Sequence, residues 1–395
     1  MAKNANGEGS IYKRMRDGKP VRYEGAITYI GDDGARKRHV VYGRTRQDVR
    51  DKLKKARERL EAGAPVRDAT RTVGDWLAQW RATTLAASDR KESTKALYTR
   101  LSEKHLESPP FGAVRLDKLR PSDIEALILA MRAKTKPTNT ECADPVRALS
   151  DSTIRQVYTV LRAGLDGAVR DGLLARNPAA VVKRPGIERR EAKHLDAAGV
   201  AAVLKAAEGS RYHAALTLIA STGLRKGECL ALRWDRIDLE SGTLKVADTL
   251  GRIGDRLVIS EPKTERSRRK IPLSPAVVAL LRKQKAAQAA DRLRAANQWQ
   301  DSGLVFTTEL GGPVDPRNLL RVVEVAAKAA GVEGVGVHTL RHSAAVAWLE
   351  AGVHIKAVAD LLGHSSIAIT GDVYGHTSDD TARAAVERLS GALGL

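Results

Sequence analysis

Apolar residues recur along this chain with three different rhythms. Near the N-terminus, Ile11–Arg14, Val21–Ile30 and Arg38–Val41 have strand character. Gly31-Asp32-Asp33-Gly34 is a strong turn signal between the last two. Val49, Leu53, Ala56 and Leu60 then fall at i, i+4, i+7 and i+11, one face of a helix that Gly63 and Pro65 stop. The pattern predicts a three-stranded sheet backed by one helix. It also carries many cations, among them Lys13, Arg14, Arg16, Lys19, Arg22, Arg36, Lys37 and Arg38. Such a sheet can lay a strand face in a major groove.

From Thr72 to Arg176 the period is helical throughout. Trp76, Leu77 and Trp80 mark one apolar face, and Leu97, Leu101 and His105 continue it. Ile124, Leu127, Ile128 and Met131 repeat the pattern, as do Ile154, Val157, Leu161 and Leu165. Pro121 before Ser122-Asp123 reads as a helix start, and Asn177-Pro178 as an end. The stretch 133–150, rich in Thr, Asn and Asp and holding two prolines, reads as an exposed loop. Lys183–Lys193, with Pro185 and Gly186, reads as a basic linker suited to lie along a phosphate backbone.

The third rhythm mixes the two periods. His194–Glu208 and Arg211–Ser221 read as helices. Leu244–Val246, Leu257–Ser260 and Arg269–Leu273 read as strands of a small antiparallel sheet, and helices resume near Pro275. The expected organisation is residues 1–65, 70–180, a linker at 181–193, and 194–395. The expected fold class is multidomain and mainly α with small β-sheets: a three-stranded sheet plus helix, then a helical domain, then an α+β domain.

Charge narrows the function. Lys and Arg number 67 against 47 Asp and Glu in 395 residues, a formal net charge of +20. An excess this large attracts polyanions, nucleic acid above all. Aromatics make up only 4%, which disfavours a base-stacking reader of single strands and favours duplex DNA gripped through its phosphates. No apolar run approaches the roughly 18–20 residues of a membrane span. The first residues lack the apolar stretch of a secretory signal. Cys142 and Cys229 stand far apart, without the spacing of a disulfide framework or a zinc site, which fits a reducing cytoplasm.

Four short motifs carry candidate chemistry. In Thr222-Gly223-Leu224-Arg225-Lys226-Gly227-Glu228, a helix ends, a glycine turns the chain and Arg225 opens the next helix. The planar fork of Arg225 matches two phosphate oxygens, and Glu228, three residues on, is placed to orient it. In His338-Thr339-Leu340-Arg341-His342, His338 and Arg341 share a helix side at i and i+3, beside a buried stripe of Leu340, Ala344, Ala347 and Ala351. Ile355, Val358, Ala359 and Leu362 define a helix capped by Gly363, with His364 immediately after. Tyr374 follows ten residues later, with Gly371 three residues before it. Each motif alone is common in ordinary structural settings. Their order is specific.

Arg225, then His338-x-x-Arg341, then Leu-Gly-His364, then Tyr374 resembles the catalytic set of the tyrosine recombinase, or phage integrase, family. The resemblance covers the last 200 residues and is strongest from His338 to His376. The middle helices look like the family's core-site DNA-binding domain, and the N-terminal module looks like the arm-site domain of its longer members. The family also uses a lysine on a β-hairpin after the first arginine. Lys263, between two expected strands, matches it, while Lys270 and Lys245 are less well placed competitors.

The resemblance implies site-specific recombination through a 3′-phosphotyrosyl intermediate formed by Tyr374. Arg225 and Arg341 would hold the non-bridging oxygens, and Lys263 would protonate the leaving 5′-oxygen. His338 would assist proton transfer at the nucleophile, and His364 would hydrogen-bond the phosphate. It implies no cofactor or metal, and the sequence shows neither carboxylates with metal spacing nor a phosphate-binding Gly-x4-Gly-Lys loop. The implied partners are duplex DNA at attachment sites, a homo-tetramer around a Holliday junction, and possible help from a directionality factor and a host DNA-bending protein, with no membrane. The helical spacing of Ala382, Ala385, Val386 and Leu389 suits a tail that docks on a neighbouring protomer or closes its own domain. Two other readings share parts of the pattern: a type IB topoisomerase-like relaxase, and a catalytically silent DNA-binding regulator. The N-terminal module argues against the first and the complete catalytic set against the second.

Overall fold

The computed structural model describes residues 10–16, 19–30, 36–61, 71–136, 146–188, 193–261 and 267–364, together with 366, 367, 371, 387 and 390. The chain divides into two compact units, residues 1–188 and 189–395.

The first unit opens with an antiparallel sheet of β1 (Ser10–Arg16), β2 (Lys19–Ile30) and β3 (Arg36–Gly43), in that order. Helix α1 (Arg46–Glu61) packs Val49, Leu53 and Ala56 against Ile27 and the partly buried Ile11, Tyr23, Tyr29 and Val41. Close approach of helix and sheet demands a glycine at Gly25. A Cβ there would lie 2.6 Å from Val49 Cγ1 and 2.8 Å from Leu53 Cδ1. The expected turn at Gly31–Gly34 lies outside the described residues.

Four helices follow: α2 (Val73–Trp80), α3 (Glu92–His105), α4 (Pro121–Ala133) and α5 (Asp151–Arg170). Thr72 and Asp75 form a reciprocal capping box at the start of α2, and the Ser150 hydroxyl caps α5. Trp76, Leu77, Trp80, Leu101, Ile124, Ile128, Ile154, Val157, Leu161 and Leu165 are buried in one core, as the helical spacing requires. Gly164 lets α2 and α5 meet closely, and Trp76 Nε1 donates to its carbonyl at 2.8 Å. The segment read as an exposed loop has an ordered stem. Lys136 N donates to Val146 O at 2.9 Å, and Ala148 N donates to Lys134 O at 2.7 Å. Backbone pairing of this kind leaves no side-chain period for a pattern to detect.

The second unit starts with α6 (Ala197–Ala206), α7 (His213–Thr222) and the short α8 (Lys226–Leu230). Helix α6 begins three residues later than His194, because the Asp196 carboxylate caps Gly199 N at 2.8 Å. Strands β4 (Ile237–Asp238), β5 (Thr243–Val246), β6 (Thr249–Ile253), β7 (Arg256–Ser260) and β8 (Arg269–Pro272) come next. They form two sheets rather than one. The first has the order β4-β5-β8, and among the described residues β6 pairs with β7 alone. The pattern missed β6, whose sequence Thr-Leu-Gly-Arg-Ile alternates weakly. Helices α9 (Pro275–Ala295), α10 (Pro316–Ala329), α11 (Val337–Glu350) and α12 (Ile355–Leu362) complete the described unit. Leu216, Ile219, Leu224, Phe306, Leu319 and Leu340 lie at the centre of its core. Among the described residues no helix is long and apolar enough to cross a membrane.

In the first unit, the buried Tyr158 hydroxyl lies 2.7 Å from Ala179 O and 3.0 Å from Val182 O, fastening the chain that leaves α5. Tyr158→Phe strips both carbonyls of this donor and is expected to cost about 1–3 kcal/mol. Urea unfolding should show a lower midpoint at constant slope; an unchanged midpoint would rule the fastening out.

Candidate functional site

An α-helix leaves its last carbonyls without backbone donors. Helix α12 ends at Gly363, whose left-handed conformation (φ +64°) turns the chain sharply. His364 N reaches back to Ala359 O at 3.0 Å. Gly363 N donates to Asp360 O at 3.1 Å, and the three carbonyls that follow each take an arginine. Arg269 Nε donates to Leu361 O at 2.6 Å, Arg341 Nη2 to Leu362 O at 2.8 Å, and Arg225 Nη2 to Gly363 O at 3.1 Å. The negative end of the helix dipole favours this cluster of cations.

Each arginine has a second anchor. Gly223 ends α7 in a left-handed turn (φ +63°), and its carbonyl accepts from Arg341 Nη1 at 2.5 Å. A Cβ on Gly223 would lie 2.7 Å from Leu362 Cδ2, so the turn has room only for glycine. Arg225 caps α8 in an extended conformation, and Glu228 folds back on it. Glu228 Oε2 accepts from Arg225 N at 2.9 Å, and Oε1 accepts from Arg225 Nη1 at 2.8 Å. The expected orienting role of Glu228 thus has a direct geometric basis. Arg269 was not anticipated. Its guanidinium donates to both Glu228 oxygens, Nη2 to Oε2 at 2.9 Å and Nη1 to Oε1 at 3.3 Å, and to Ser267 O at 3.2 Å. At 7% exposure it is a buried ion-pair partner, and burial is what an arginine in a basic stretch conceals.

Electrostatics follow from this wiring. Burial opposes ionisation of Glu228, but the hydrogen bonds and charge of Arg269, then the charge of Arg225, lower its pKa to about 2. Three guanidinium groups against one carboxylate leave two net positive charges. Arg341 is 3% exposed and donates to His364 across 3.0 Å between Nη2 and Nε2. A guanidinium has no lone pair to offer, so Nε2 accepts and the His364 proton sits on Nδ1. Burial, then Arg341, Arg225 and Arg269, push His364 down to about 4, so the ring is neutral at pH 7. His338, on the same helix as Arg341, has its pKa lowered by burial and then by Arg341, Lys226 and Arg225, against a smaller pull from Glu228. His342 is pushed down to about 4 by burial, then by His338, Arg341 and His194.

The structure therefore brings Arg225, Arg341 and His364 together, with His338 in the same electrostatic field. Lys263 and Tyr374 lie outside the described residues. The expected stripe on α11 needs correction. Leu340 and Ala344 are buried, but Ala347 and Ala351 are exposed, and Ala345 takes their place against Val358 and Leu362. The face turned toward α12 is set by Arg341 reaching the end of that helix, so the buried line runs through 341 and 345. Among the described residues no group of His, Cys, Asp and Glu is arranged to hold a metal ion. What the cluster offers is a rigid, positively charged corner suited to a phosphate.

Comparison with known proteins shows what the chain is similar to. The family model described as the phage integrase family matches residues 193–381. An integrase of Streptomyces ambofaciens is 31% identical over 364 residues, covering 88% of each chain. A tyrosine recombinase XerC-like protein of Caldanaerobacter subterraneus subsp. tengcongensis is 28% identical over 395 residues, covering 95% of this chain and 97% of its own. Among solved structures, the Tn1549 transposon integrase in complex with transposon right-end DNA aligns with a TM-score of 0.64 at 23% identity, over 81% of this chain and 99% of that one.

Glu228 makes the cluster pH-dependent. Its folded pKa is depressed, so its stabilisation is complete above the unfolded value of 4.5 and disappears as pH falls through about 2. Glu228→Gln should cost roughly 3 kcal/mol at pH 7, each pKa unit being worth about 1.4 kcal/mol. The deficit should shrink between about pH 5 and pH 2 in denaturant unfolding. A deficit that stays constant over that window would contradict the assignment.

Proposed function

The chain belongs to the phage integrase family, and on that premise we propose that Arg225, Arg341, His364 and His338 bind the scissile phosphate that Tyr374 attacks. The protein is a site-specific DNA recombinase. The observation that carries the site assignment is the trio of arginines on successive carbonyls at the end of α12, because it holds cations together without neutralising them. Arg225 has five N–H donors, of which Nη1 and Nη2 each use one on a protein acceptor. Its side chain is 36% exposed, so it can turn the remaining donors to a phosphate.

The reaction is transesterification. The Tyr374 hydroxyl oxygen attacks phosphorus and forms a 3′-phosphotyrosyl ester, while the bond to the 5′-oxygen breaks. A free tyrosine has a pKa of about 10 and needs help to lose its proton. His338, kept neutral by burial and by the neighbouring cations, is suited to accept it. Lys263 supplies a proton to the departing 5′-oxygen. Arg225 and Arg341 offset the charge that builds on the non-bridging oxygens. His364 donates from a nitrogen whose tautomer Arg341 selects. The phosphotyrosine keeps the bond energy, so a 5′-hydroxyl from a second duplex reverses the attack without ATP.

One active site cuts one strand, so exchange of two duplexes needs four protomers and a Holliday junction between rounds. The N-terminal sheet, with Arg14, Arg22, Arg36 and Arg38 exposed, is read as a second duplex-binding surface. The helical domain is read as the core-site grip. Attachment-site DNA in the cytoplasm is the working substrate.

A nicked suicide duplex carrying the attachment site tests the nucleophile. Wild type should accumulate covalent protein–DNA product. Tyr374→Phe should give none while keeping its DNA affinity; covalent product from that variant would refute the assignment. Arg225→Lys loses the fork and should slow cleavage by about 10²–10³-fold, read in the same assay; a rate within threefold of wild type would remove Arg225 from the phosphate site.

A further inference from the structure

The outer face of the N-terminal sheet holds an acid at its centre, where a surface built only to grip a polyanion has no use for one. Alternation along β2 turns Tyr23, Gly25, Ile27 and Tyr29 toward α1 and leaves Arg22, Glu24, Ala26 and Thr28 on the other side. Register sets Tyr12 and Tyr42 directly opposite Glu24 on the two flanking strands, and Arg14 opposite Arg22. Arg14 Nε donates to Glu24 Oε2 at 2.7 Å. The Arg22 guanidinium stacks 4.3 Å from the centroid of the Tyr42 ring. Arg38 and Arg36, opposite Thr28 and Ile30, extend the same face.

A carboxylate among these arginines weakens attraction to phosphate. Selectivity is what can offset that loss. The Glu24 side chain is 14% exposed and that of Arg14 is 61% exposed. The acid is therefore a fixed post and the guanidinium a reaching group. Their bond uses Nε and leaves both terminal nitrogens of Arg14 without a partner among the described residues. Two terminal N–H donors in one plane match O6 and N7 on the major-groove edge of guanine. Holding Arg14 by Nε before binding reduces the side-chain entropy lost on contact. Glu24 also repels any phosphate that competes for the same fork.

We propose that Arg14, positioned by Glu24, reads a guanine in the duplex bound by this sheet. The inference rests on the reading of the sheet as a DNA-binding face. Arg14 is the specificity-determining residue and Glu24 its positioning residue. Tyr12 and Tyr42 flank the pair and Arg22 is occupied by Tyr42, which leaves Arg14 as the cation suited to a base edge rather than to the backbone.

Selection of bound duplexes from a random pool by the full-length protein tests this. The motif lost when Arg36 and Arg38 are both changed to Ala is the one belonging to the sheet. In wild type that motif should contain a preferred G·C pair. Arg14→Lys and Glu24→Ala should each lower the preference at that pair by roughly 10-fold and leave its other positions intact. Glu24→Ala should at the same time bind a duplex lacking the motif as tightly as wild type or tighter, since a negative charge has been removed. A variant that merely damages the fold would lose both. Replacing the selected guanine by 7-deazaguanine should reproduce the loss in wild type and add nothing in Arg14→Lys. A sheet motif unchanged in both variants overturns the role of Arg14 and Glu24 while leaving the sheet a DNA-binding face. Absence of any motif sensitive to Arg36 and Arg38 overturns that reading, and this inference with it.

Discussion

The end of α12 is the point on which the arginine cluster depends. Three carbonyls that the helix cannot satisfy are met by guanidinium groups from α11, from the start of α8 and from the start of β8. Arg225 and Gly363 are 138 positions apart in sequence, and Arg269 and Leu361 are 92 apart. A corner assembled from such distant segments exists only when the second unit is fully folded. Mutual repulsion among the arginines is held in check by the helix dipole, by the carbonyls and by one buried carboxylate, Glu228. The cations are thus gathered by the fold itself, with their donors already in place.

Glu228 ties this corner to the strand side of the unit. It accepts from Arg225 on its own helix and from Arg269 on β8. Arg269 also donates to Ser267 O, so the strand that follows the 262–266 segment is clamped to the same carboxylate. A displacement of β8 is therefore felt at Arg225. Gly363 records how tight the junction is, because a Cβ there would lie 2.8 Å from Arg269 Nη1.

Much of this was legible in the chain itself. Helical period picked out inward-facing residues in both units, because Leu161, Leu165, Val358 and Leu362 must face inward wherever a helix packs. Arg225, Arg341 and His364 could be singled out because the order of their motifs resembles the catalytic set of the phage integrase family. Arg269 could not, since one arginine among Arg266, Arg268 and Lys270 carries no mark of burial. The pairing of β6 with β7, and of Lys136 with Val146, was equally hidden. Backbone partners are chosen by geometry over long range, and Gly-Arg within β6 breaks the alternation that would announce a strand. On α11 the spacing of alanines suggested one stripe and the packing chose another, because alanine is neutral about facing solvent.

Two of the acceptors that hold Arg341 are the main-chain oxygens of Gly223 and Leu362. Main-chain atoms are common to every residue type, so neighbouring side chains can drift in size and polarity without altering this cradle. What the cradle does not tolerate is a change in the path of the chain. A side chain at Gly223 would collide with Leu362, and so press one of the two supports against the other. The heritable information that places this guanidinium thus lies less in the arginine than in the glycine turns that set the path of the chain around it.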